Sequence, residues 1–299
     1  MKSVLCIGHA VQDLVFSIDS MPANAEKYIA SNFETLGGGP AATAAVAISS
    51  LGGSARLAAR VGDDMQADFI IAELESYGVD CTLVWRMSGR RSSTSAVFVD
   101  SAGERMIVNY LDNSMDTDPM WLEAYSPLDV AAILTDTRWP EAALFGMNLA
   151  RQNGVPAILD ADMPVPADGE LIRAATHVAF SACGLAEFSG IKDAEAALFS
   201  VQQLTGAWCC VTLGSQGLLT IDDGKLIHLP AFSVTARDTL GAGDVWHGAF
   251  ALALAEGKST SDAAIFASAA AALKVQNGGG RAGCASREDV DDFLQQHGK

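Results

Sequence analysis

Asp238-Thr239-Leu240-Gly241-Ala242-Gly243-Asp244 is the stretch of this chain best equipped for chemistry. Gly241 and Gly243 let the backbone turn tightly and leave nearby peptide N–H groups uncovered. The apolar run Val245 to Leu254 predicts a helix starting at this turn, and the run Phe232 to Ala236 predicts a strand leading into it. Free N–H groups at a helix N-terminus, with the helix dipole behind them, form an anion site. Asp244 stands in that first turn, where its charge opposes any bound anion. A carboxylate so placed suits one task well. It can accept the proton of a hydroxyl that attacks a phosphoryl group held by the amides of Gly241, Ala242, Gly243 and Asp244. The plainer role of an N-cap weighs equally on this stretch alone.

Other residues carry weaker signals. Gly37-Gly38-Gly39-Pro40-Ala41-Ala42 fits the dinucleotide pattern G-x-G-x-x-A, which would point to an NAD-dependent oxidoreductase. That pattern belongs directly after a first strand. Here the first strand ends near Ile7 and the glycines begin at Gly37, so a glycine-lined helix start admitting a polar ligand is the better reading. Gly257-Lys258-Ser259 lacks the first glycine of a P-loop, because position 252 is Leu252, and reads as a helix end. Thr212 to Gly217 is a glycine-rich turn after an apolar run and suits a nucleotide phosphate or ribose. Lys27, Asn109 and Arg138 together supply polar and positive groups for an anionic ligand, although each alone reads as a surface residue. Asp136, Asp160 and Asp162 follow predicted strands and can hold Mg²⁺ through water or simply cap turns. His247, one helical turn after Asp244, reads as packing.

These residues need elements to position them. The 299 residues are 49% hydrophobic, enough for one large α/β domain with a sizeable core. Strands are expected at Ser3–Ile7, Asp13–Ile18, Tyr28–Phe33, Ala55–Ala59, Thr82–Arg86, Ser93–Asp100 and Arg105–Asn109. From Val130 the pattern becomes strand–helix alternation, the mark of a parallel sheet covered on both faces. The expected organisation is one domain over 1–299, with lid strands inserted at about 12–36 and 90–110 that keep water from phosphoryl transfer. The formal net charge of −17 argues against nucleic acid and anionic membranes as partners. The six cysteines form no C-x-x-C pair, and the longest apolar run, Ala263 to Leu273, is too short to cross a bilayer. The expected compartment is the cytosol. Lid strands with one apolar face make a homodimer through the lid a reasonable expectation.

Taken in order, these segments resemble the PfkB (ribokinase-like) family of sugar kinases over essentially the whole chain. The carrying residues are Gly37 to Gly39 before an Ala-rich helix, Gly62-Asp63-Asp64, and the 238–244 stretch, which is similar to the family's D-T-x-G-A-G-D. The resemblance implies a ribokinase-like three-layer αβα core with a mostly parallel central sheet and a small β-sheet lid. It implies MgATP as donor, Asp244 as general base and the Gly241–Asp244 amides as an anion hole. It implies that Asp13 binds sugar hydroxyls beside Gly38 and Gly39, that Gly214, Ser215 and Gly217 meet the nucleotide, and that Asp238 lies near a monovalent-cation (K⁺) site. The family's N-x-x-E motif is absent, since Ser181-Ala182-Cys183-Gly184 stands in its place and Glu187 falls three positions late. The stretches Gly37–Ala47 and Gly279–Gly283 are most similar to the family's kinases for 6-deoxy-6-sulfofructose, which also lack N-x-x-E and hold the sulfonate at positions matching Lys27, Asn109 and Arg138. The implied reaction is phosphorylation of the C1 hydroxyl of a C6-anionic ketofuranose, giving 6-deoxy-6-sulfofructose 1-phosphate. Fructose 6-phosphate, fructose, 2-keto-3-deoxygluconate and ribose are alternative substrates, and a non-catalytic sugar sensor is the reading outside enzymes.

Overall fold

Ser3–Ile7 (β1) buries Val4, Leu5, Cys6 and Ile7 completely, as a strand covered on both faces must. The computed structural model describes residues 1–125, 129–222 and 224–299. Among them, β1 lies within a nine-stranded sheet. Its neighbours are Ser54–Gly62 (β4) and then Asp80–Met87 (β5) on one side. On the other side come Ala132–Thr135 (β8), Ala157–Ala161 (β9), His177–Ser181 (β10) and Trp208–Thr212 (β11), all parallel. Leu218–Asp222 (β12) and Lys225–Leu229 (β13) close that edge as antiparallel strands.

Two apolar cores lie on the two faces. Pro40–Ser50 (α1), Met65–Ser76 (α2), Ala242–Ala255 (α7), Thr260–Asn277 (α8) and Arg287–Gln296 (α9) build one. Pro140–Asn153 (α3), Glu170–Ala174 (α4), Ala182–Ser189 (α5) and Ala194–Thr205 (α6) build the other. Helices α1 and α7 touch backbone to backbone, since a Cβ at Gly248 would stand 2.4 Å from the Ala44 carbonyl oxygen. That contact brings the start of α1 and the start of α7 to one end of the sheet.

A separate four-stranded sheet has the order β3 (Asn32–Gly38), β2 (Val11–Ser17), β6 (Thr94–Val99) and β7 (Arg105–Tyr110). β2 pairs antiparallel with β3 and parallel with β6, and β6 and β7 form the expected hairpin. The architecture is thus the α/β fold with a large, mostly parallel sheet and a small second sheet.

Several local expectations are corrected. The third strand is not Tyr28–Phe33 but Asn32–Gly38, so Gly37 and Gly38 are strand residues paired with Gln12 and Val11. The preceding segment is drawn into a loop by the Tyr28 hydroxyl, which accepts the amides of Ala23 and Asn24 at 3.1 Å each. Phe232 to Ala236 is not a strand: β13 ends at Leu229, and the segment packs by side chain, with Phe232 edge-on to Phe293 at 5.2 Å. Strands β12 and β13 and helix α5 are additions that short apolar runs did not announce.

Candidate active site

The site is built at the carboxyl ends of the parallel strands, where open α/β sheets form their crevice. Gly241 caps α7 with φ +73° and no side-chain cap, so the first turn of the helix faces the crevice uncovered. The Ala242 amide, one of those expected to hold the anion, already donates to the Thr239 carbonyl at 3.3 Å. Asp244 lines a cavity of about 450 Å³ together with Asp13, Gly38, Gly39, Asn109, Arg138 and Gly241. Burial first, then the charges of Asp160, Asp162 and Asp136, push its carboxyl from 3.8 up to about 7, with His247 pulling the other way.

Asp13 is buried on β2, and Gly38 is a glycine because a Cβ there would stand 2.1 Å from the Asp13 carboxylate. Burial raises the Asp13 carboxyl, opposed by a hydrogen bond from Ser95 and the charge of Arg281. Asn109 on β7 donates from Nδ2 to the hydroxyls of Ser93 (3.2 Å) and Ser95 (2.9 Å). Arg138 follows β8 and lies 3.5 Å from Asp162. It also lines an adjoining cavity of about 250 Å³ with His9, Arg60, Trp139 and Glu141.

Three acidic residues after strands differ in what they have left to offer. Asp136 is the most engaged: its carboxylate accepts the amides of His9 (2.8 Å), Ala41 (3.1 Å) and Arg138 (2.9 Å). Asp162 accepts the Ser181 hydroxyl at 2.6 Å. Asp160 has its Oδ2 3.4 Å from His247 Nδ1, and its buried Oδ1 has no protein partner. Burial, followed by the Asp162 and Asp136 charges, pushes the Asp160 carboxyl well up. Among the described residues, no three His, Cys, Asp or Glu side chains converge as a metal-holding group. Glu187 is turned away as an acceptor for the Val165 amide at 3.2 Å, and Ser181 caps α5.

Lys27 is exposed and stands outside the lining of the cavity. Gly214 and Ser215 form an exposed turn after β11, and Gly217 (φ +93°) runs so close to the chain that a Cβ would lie 2.2 Å from the Leu229 carbonyl. Asp238 is held by Lys274 at 2.8 Å rather than left open. Sequence reasoning missed Arg281 and Lys274. Arg281 is buried, lines the cavity, pairs with Glu73 and donates to the Gly38 carbonyl at 2.7 Å. The available signal was an arginine set among the glycines at 278–283, where little else can fill space.

Comparison with known proteins fits this geometry. The family model for pfkB family carbohydrate kinases matches residues 1–287. The ribokinase of Bacillus subtilis is 29% identical over 98% of this chain and 100% of its own length. A solved structure from Agrobacterium tumefaciens, provisionally called a ribokinase, superposes with a TM-score of 0.90 at 34% identity over 99% of this chain and 98% of that one. The Arabidopsis thaliana ribokinase, solved with ribose and ATP, gives 0.85 at 25% identity over 98% of both chains.

The Asp244 environment makes a stability prediction. A carboxyl with a folded pKa near 7 and an ordinary value of 3.8 binds its proton more tightly when folded, so stability falls as pH rises between those values. Asp244→Asn removes that cost. Thermal unfolding should show the variant melting above the wild type at pH 8, by about 2–4 °C for each kcal/mol relieved, with the gap closing towards pH 4.

Proposed function

We propose that this chain, which belongs to the pfkB family of carbohydrate kinases, transfers the γ-phosphate of ATP to the C1 hydroxyl of a furanose-form ketose carrying an anion at C6. Our first choice of substrate is 6-deoxy-6-sulfofructose, giving its 1-phosphate. The observation that carries this reading is one cavity holding Asp13, Asn109, Arg138 and Asp244 together. In this reading Asp13 orients sugar hydroxyls beside Gly38 and Gly39. Asp244 takes the proton of the attacking hydroxyl, and the Gly241–Asp244 turn receives the charge that develops on the transferred group. Arg138 and Asn109 hold the sugar's anionic end, and Lys27, which this chain leaves outside the cavity, would reach it only by a movement of its loop. Gly214, Ser215 and Gly217 meet the nucleotide. Mg²⁺, bound with ATP, would supply neutralisation of the phosphate charge. Asp162, which lines the cavity, and Asp160 behind it would hold its waters, while Asp136 already accepts three amides.

Ribose is the second reading, favoured by the full-length likeness to ribokinases. A MgATP-coupled panel of sulfofructose, fructose 6-phosphate, fructose, 2-keto-3-deoxygluconate and ribose separates the two. The best substrate should be an anionic ketose, and Arg138→Ala should raise KM for it about 10- to 100-fold while leaving KM for neutral sugars in place. A preference for ribose, or an unmoved KM, sinks the anion pocket and leaves the kinase.

The base role sets the pH profile. With the carboxyl near 7, kcat/KM should climb about tenfold per pH unit below that value and level off above it. Asp244→Asn should abolish turnover at every pH.

We also propose that two copies pair through their small sheets. Phe33, Met106 and Val108, on the face of that sheet turned away from the cavity, present apolar surface that stays exposed. Sedimentation at micromolar concentration should report a dimer, and Val108→Asp should convert it to a monomer. The six cysteines are free thiols, which suits the cytosol as the working compartment.

A further inference from the structure

The residues around Asp238 do not fit the monovalent cation that the family resemblance implies. Its Oδ2 accepts Lys274 Nζ at 2.8 Å and the Gly280 amide at 3.3 Å. Its Oδ1 accepts the Leu240 amide at 2.8 Å and faces Arg105 at 3.9 Å. Its main-chain oxygen lies 3.4 Å from the same Nζ. A bare cation needs several oxygens turned towards it. Here the carboxylate oxygens already face N–H donors, and a full positive charge occupies the space between side chain and carbonyl. Lys274 has no exposed surface, and it sits in the last turn of α8, where the helix dipole favours a cation.

We propose that Lys274 is the resident cation of this turn: its ammonium does the work of a bound monovalent ion, and phosphoryl transfer by this chain does not require K⁺. The charge is the same, and three N–H groups on a long stem replace an ion's radial bonds to oxygen. Lys274 touches no reacting atom. It is a positioning residue that acts through Asp238 on the 238–241 turn, and through the Gly280 amide on the segment carrying Arg281. Burial alone would raise the Asp238 carboxyl. The hydrogen bond and charge of Lys274, with the Leu240 and Gly280 amides, hold it below its ordinary value, so the turn keeps its anchor across the working pH range.

The inference rests on the kinase reading, so the test carries one readout that needs no turnover. The full-length protein is compared in KCl and in tetramethylammonium chloride at equal ionic strength, by melting midpoint without substrate and by kcat and KM with MgATP and the best sugar of the panel. For the wild type, the midpoints should agree within about 1 °C and kcat within about twofold. Lys274→Ala should lose about tenfold or more in kcat in tetramethylammonium, with the sugar KM little changed, and recover in KCl or ethylammonium chloride. Its midpoint should become K⁺-dependent. A saturable K⁺ activation of the wild type, or a K⁺-specific rise in its midpoint, overturns the proposal. So does a folded Lys274→Ala protein that neither salt rescues. Should Lys274→Ala not fold, the wild-type comparison decides alone. Should no sugar turn over, the midpoints still decide, and only the substrate reading has failed.

Discussion

The cost of gathering carboxylates around one end of the parallel sheet governs this structure. Asp13, Asp136 and Asp160 are buried, and Asp244 is half-buried in the cavity lining that it shares with Asp13, in a chain whose net charge is already −17. Each needs its own answer to desolvation. Asp136 is answered by three amides from three segments, the loop after β1, the start of α1 and its own strand end. Asp13 is answered by Ser95 and by the nearby charge of Arg281. Asp160 and Asp244 are answered least, and their carboxyls are pushed up most. A fold that evens out such costs would have no proton acceptor poised near neutrality, and perturbed groups of this kind cluster at functional sites.

Cations are rationed accordingly. Arg281 is wholly committed, to Glu73, Thr43 and the Gly38 carbonyl, and so joins the small sheet to the turn that follows α8. Lys274 is committed to Asp238. Among the described residues, Arg138 has a single ion-pair partner, at 3.5 Å, and it lines two cavities, so it has the most to offer an incoming anion. The division between structural and available charge follows from hydrogen-bond occupancy rather than from residue type.

Much of this was legible in the sequence because it depends on period and punctuation. The alternation after Val130 and the glycine-lined start of α1, where Pro40 takes the first helical position, carry local chemistry that works without tertiary help. The glycine turn before α7 was legible for the same reason. The rest depends on partners remote in sequence. Gly37 and Gly38 look like loop residues until β2 is laid beside them. Phe232 to Ala236 has strand composition but joins neither sheet among the described residues. The engaged states of Asp136 and Asp238 are invisible until loops from distant strands meet. Lys27 shows the converse, a residue singled out by position that the chain leaves facing solvent.

Strand β3 runs into α1 with only Gly39 between them, Pro40 stiffens the junction, and Asp136 grips the Ala41 amide. The small sheet is therefore geared to the floor of the crevice at that corner, and a tilt of its far edge, where β7 carries Asn109, would pivot about this stiff joint. The cavity thus has a wall of fixed distance on the β3 flank and an adjustable one on the β7 flank.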